Sequence, residues 1–114
     1  MPEIRFLKGD TLLFQGPGVL EEVPEGLKIQ FESPESRQTW ILGSRRIEII
    51  SETEMEVSMK LQAHSLCPVT IRSPWGQMET EAAVKALEMT DSRAEVVYVL
   101  EGAVHHIRLE WTKE

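Results

Sequence analysis

Turn-forming residues recur along this chain at intervals too short for helices. Gly9-Asp10, Gly16-Pro17-Gly18, Pro24-Glu25-Gly26, Ser33-Pro34-Glu35-Ser36, Gly43-Ser44, Ser73-Pro74-Trp75-Gly76, Asp91-Ser92 and Glu101-Gly102 punctuate it, and most of the intervening segments are of strand length, roughly 4 to 8 residues. A chain cut this way is forced toward antiparallel strands joined by tight turns, since a helix needs a longer uninterrupted run. Alternation supports the same reading. Leu27, Ile29 and Phe31 alternate with Lys28, Gln30 and Glu32, and Met55, Val57, Met59 and Leu61 alternate with Glu56, Ser58 and Lys60. A period of two puts each apolar set on one buried face.

The segments Ala94 to Leu100 and Ala103 to Thr112 flank Glu101-Gly102, a two-residue loop of hairpin type. With that loop, Leu100 faces Ala103, Tyr98 faces His105 and Val96 faces Ile107. Further strands are expected at Ile4 to Lys8, Thr11 to Gln15, Val19 to Val23, Arg37 to Leu42, Arg46 to Ser51 and Val69 to Ser73. Gln77 to Thr90 stands apart. Its Ala, Glu, Met and Leu content and its Glu81/Lys85 spacing favour a helix. Read as a strand instead, it carries Met78, Thr80, Ala82 and Val84 on one face and resumes with Leu87 and Met89 after a bulge at Lys85-Ala86.

A length of 114 residues with 41% hydrophobic content fits one domain over residues 1–114, large enough to need no staple. The lone Cys67 cannot form a bridge within the chain, and Met1 to Asp10 shows no secretory pattern, so a reducing, cytoplasmic home is expected. No run approaches the length of an apolar membrane helix. The net charge of −7 disfavours nucleic acid and anionic membranes as partners.

The run from Gly43-Ser44-Arg45-Arg46 through Pro68-Val69-Thr70-Ile71-Arg72 to Ser73-Pro74-Trp75-Gly76 resembles the YwiB-like family of small, uncharacterised bacterial proteins. Trp75 stands where the family's turn carries Tyr. The resemblance implies an all-β fold, a single antiparallel meander β-barrel of about eight to ten strands of lipocalin-like, calycin type. It also tips Gln77 to Thr90 toward a long bent strand. It implies no reaction, and fold is not function.

No catalytic constellation can be assembled from these residues, and no cofactor motif is present. His105 and His106 are neighbours on a strand and point to opposite faces, so they cannot chelate one metal ion together. His105 shares its face with Ile107, Leu109 and Trp111, and Tyr98 is its expected hydrogen-bond partner. Trp111 is expected to close one barrel end, and Trp75 to pack back over the mouth. Glu79 and Glu81 belong to the solvated face, and Cys67 is a packing residue. Barrels of this size are either filled by side chains or hold one small ligand. Two functions follow as expectations: a module acting through its surface on a protein partner, or a binder of a small, mainly apolar molecule lined by Tyr98, His105, Trp75 and Trp111.

Overall fold

The computed structural model describes residues 2–112. Eleven strands form one antiparallel sheet: β1 (Glu3–Lys8), β2 (Thr11–Pro17), β3 (Val19–Val23), β4 (Gly26–Glu32), β5 (Arg37–Gly43), β6 (Arg46–Glu52), β7 (Glu56–Gln62), β8 (Leu66–Ser73), β9 (Gly76–Met89), β10 (Arg93–Leu100) and β11 (Ala103–Trp111). Their order is β2-β1-β11-β10-β9-β8-β7-β6-β5-β4-β3, a meander in which the first strand pairs with the last.

The sheet curls until its two ends meet. Phe6 on β1 lies 5.8 Å from Phe31 on β4 and 6.0 Å from Trp40 on β5, and Phe14 on β2 stacks on Phe31 at 5.0 Å. Strands that stand at opposite ends of the ladder therefore share one interior. The edges, β2 and β3, are consecutive in the chain and joined at Gly18. A Cβ there would fall 2.3 Å from Ile4 Cγ1 and 3.0 Å from the Gln30 carbonyl, so only glycine lets the backbone pass between β1 and β4. Eleven strands exceed the expected eight to ten: Gln77 to Thr90 forms a strand as well, and the corner at Gly18 keeps β2 and β3 apart, each paired to a different neighbour.

Gln77 to Thr90 resolves as a strand, and the helix alternative is excluded. β9 pairs with β8 along its first half and with β10 along its second. The ladder runs Val97↔Ala86 and then Tyr98↔Val84, which leaves Lys85 as the extra residue. A bulge there bends the strand and keeps Ala82, Val84, Leu87 and Met89 facing the core. Helix propensity is overridden because each face of the segment finds a partner only in the sheet.

The β10–β11 hairpin has the expected register, Leu100↔Ala103, Tyr98↔His105 and Val96↔Ile107. Glu101 and Gly102 both have positive φ, 50° and 80°, the conformation that two-residue hairpin loops demand. Met55 departs from its expected inward position. It lies in the turn before β7 and is exposed, held where Thr53 Oγ1 accepts a hydrogen bond from the Met55 backbone N–H. Cys67 is buried, and its sulfur accepts from the Gln62 N–H at 3.2 Å, tying down the turn between β7 and β8.

Candidate functional site

Antiparallel alternation sends the β4–β5, β6–β7, β8–β9 and β10–β11 turns to one end of the barrel and the β3–β4, β5–β6, β7–β8 and β9–β10 turns to the other. The four residues expected to line one ligand site are divided by this arrangement. Tyr98 and His105 lie two residues from the β10–β11 turn, at the same end as Trp75. Trp111 terminates β11 at the opposite end.

Tyr98 and His105 are directly opposed and stack, with ring centroids 5.1 Å apart and planes 18° from parallel. The expected hydrogen bond between them does not form, because directly paired strand residues hold their rings side by side and carry the phenol oxygen past the imidazole. Burial pushes the Tyr98 phenol above its ordinary value of 10.0. Tyr98 is also the chain's single tyrosine, so the tyrosinate absorbance of the folded protein reports this group alone. Its titration midpoint should lie above 10.0. The neutral phenol then gives its full stabilisation below 10.0 and loses it as the pH rises through the folded-state value. A midpoint at or below that of the urea-unfolded chain would contradict the buried placement.

Trp75 does not pack back over the mouth. It is 90% exposed, against 0% for Trp40 and 4% for Trp111. The turn itself holds it out: Ser73 Oγ accepts from the Trp75 N–H at 3.2 Å and donates to the Gly76 carbonyl at 3.2 Å. Other exposed apolar residues lie at this end, among them Met55 in the β6–β7 turn, Met78 near the start of β9 and Val104 beside the β10–β11 turn. The register links the first two, since Glu56 pairs with Arg72 and Ile71 with Met78. The Arg72–Glu56 ion pair, 3.3 Å, flanks this apolar rim.

The interior behind the rim is occupied by side chains. Trp40, Ile49, Val69, Val96 and Leu109 are all buried in one cluster, and Trp40 Nε1 donates to Gln38 Oε1 at 3.1 Å. Grooves of about 410 to 470 Å³ open on the surface; those five residues, Tyr98 and His105 line none of these, while the core residues Ile47, Leu61 and Cys67 line the one of about 410 Å³ beside the β5–β6 and β7–β8 turns. His106 points outward, as expected, and contacts Glu95. Glu79 and Glu81 are exposed. Among the described residues no group of three or more His, Cys, Asp or Glu is placed to hold a metal, and no helix is long and apolar enough to cross a membrane.

No family model and no curated protein matches this chain. Among solved structures it is similar to the YwiB protein from Bacillus subtilis, with a TM-score of 0.72 at 8% identity over 99% of this chain and 88% of that one. The chain shares the YwiB fold. The resemblance read from Ser73-Pro74-Trp75-Gly76 and the strand spacing is thus borne out as a likeness of architecture, at an identity where residue roles do not transfer.

Proposed function

We propose that this chain is a filled, single-domain, lipocalin-like barrel, non-enzymatic and cytoplasmic in a bacterium, which acts through its surface as a protein-interaction module. The observation that carries the reading is the exposure of Trp75. A large aromatic held out at a hairpin tip, with Met55 and Met78 at the same end, has the composition of an interface anchor. Single exposed apolar residues are ordinary, but here the turn backbone that carries the tryptophan is held by two hydrogen bonds, so the indole projects from a fixed position. The thiol of Cys67, buried and unpaired, suits a reducing compartment.

A second reading places a small apolar molecule inside the barrel, with Tyr98 and His105 as polar fixtures. It draws on the Tyr98 hydroxyl, which no group among the described residues hydrogen-bonds. Against it stands the packed interior, which leaves these two rings stacked on each other.

The test is substitution of Trp75 by a photo-crosslinking phenylalanine derivative in the source cell. The interaction reading expects a discrete crosslinked species from position 75 and none from the exposed, polar position Gln15. Trp75→Ser should leave unfolding free energy within about 0.5 kcal/mol of wild type, as for other surface substitutions, while abolishing the partner's association. Equal crosslinking from both positions, or none from either, would contradict the proposal.

A further inference from the structure

On the outer face of the barrel, one row of directly paired residues crosses four strands without a polar side chain. Leu66 on β8 pairs with Ala83 on β9, Ala83 with Val99 on β10, and Val99 with Val104 on β11. Cross-strand partners share one face of a sheet, and chain neighbours take the other. The shared face here is the outer one, because the neighbours Cys67, Ala82, Val84 and Tyr98 all belong to the core cluster. Leu66 and Val104 are each 68% exposed, more than any other large aliphatic residue among those described. Ala86 and Val97, paired in the adjoining outer row, widen the strip. Solvated rows of an antiparallel sheet are ordinarily polar, and the same strands follow that rule further along, where Glu88, Glu95 and Arg108 are paired. Scattered exposed apolar residues are ordinary, whereas a contiguous strip marks a contact surface.

The border of the strip is acidic. Glu81 stands two residues before Ala83 on the same face, Glu79 two before that, and Glu101 occupies the turn beside Leu100. All three are exposed, and none is in an ion pair among the described residues. On the opposite border the cationic side chains are Lys85, at the bulge, and His106, which Glu95 engages. We propose that this strip docks a partner protein that presents aliphatic side chains flanked by lysine or arginine. An apolar centre with a charged rim is the anatomy of a protein–protein contact, and a rim of one sign selects and orients a partner of the other. A second copy of this chain, itself of net charge −7, sets Lys85 alone against the three carboxylates. Of the exposed apolar residues at the Trp75 end only Val104 belongs to the strip. Ala83 stands seven residues beyond Gly76 on β9, roughly 23 Å at ~3.3 Å per residue, so the docking surface does not depend on the Trp75 reading.

The test is a titration of the methyl-labelled protein with three synthetic peptides of about 14 residues, some four helical turns. One is an amphipathic helix of leucine and lysine, the second has glutamate for every lysine, and the third has serine for every leucine. The leucine–lysine peptide should shift the Leu66, Val99 and Val104 methyl resonances saturably, and the other two should bind about tenfold more weakly or worse. Leu66→Ser/Val104→Thr and Glu79→Gln/Glu81→Gln should each weaken that binding about tenfold, with the circular dichroism spectrum unchanged, while Trp75→Ser should bind as the wild type does. Absence of saturable shifts, shifts confined to the Trp75 rim, equal binding by either control peptide, or unchanged affinity in folded Leu66→Ser/Val104→Thr would each overturn the assignment. So would shifts of the same methyl groups on raising the protein concentration without peptide, which would put a second copy on the strip.

Discussion

Gly26→Ala is expected to destabilise this protein by at least about 4 kcal/mol, or to prevent folding, a loss in the range that marks a specific structural clash. Gly26 opens β4 at φ +147°, a conformation that residues with a side chain rarely adopt, and a Cβ there would lie 2.0 Å from the Leu42 carbonyl oxygen. That oxygen belongs to backbone in the β4–β5 ladder, where Leu27 pairs with Leu42. Neither group can yield without parting the two strands, so conformational strain and overlap add. Urea unfolding followed by circular dichroism measures the effect, and a loss below about 1 kcal/mol, the ordinary scale of a surface change, would show that the turn before β4 is built differently.

The second large effect is at Trp40. The residue is fully buried, meets Phe6 edge-on at 6.0 Å and 74°, and lies opposite Ile29 and Ile49 on its two flanking strands. Trp40→Ala should cost about 3–5 kcal/mol, the transfer free energy of the lost indole plus the cavity left behind. The variant carries its own control on packing. In a filled barrel the only large apolar void is the one created by truncation, so benzene should stabilise Trp40→Ala and leave the wild type unaffected. Stabilisation of both proteins to the same degree would place an open cavity in the native interior.

Local signals were legible where the structure is local. Glu101-Gly102 announced the last hairpin because a two-residue loop permits one register, and Tyr98, Val96 and Leu100 have the opposites that register assigns. The slip at Lys85-Ala86 was visible as a change of phase in the apolar pattern, and it is the bulge. Met55 was misread because alternation does not say where a strand begins: the residue continues the apolar phase of β7 but lies before its first paired residue. Trp75 was misread because an aromatic in a turn has the same sequence signature whether it folds back or projects. Its exposure goes with its place at the tip of a turn whose backbone the Ser73 hydroxyl holds. The Arg5–Glu110 ion pair left no trace at all. It depends on the pairing of β1 with β11, and the Arg5–Glu110 contact spans 105 positions in the chain, a distance over which neither periodicity nor propensity carries information.

A barrel that is filled and works from its outside carries no enclosed molecule. Native mass spectrometry of freshly purified protein tests it most directly, because a molecule enclosed by eleven strands would survive gentle desolvation. The expected result is the mass of the bare 13.0 kDa polypeptide or integer multiples of it. A stoichiometric added mass of a few hundred daltons, the size of molecule that small-ligand pockets enclose, would contradict it if that mass is lost in Tyr98→Phe/His105→Leu.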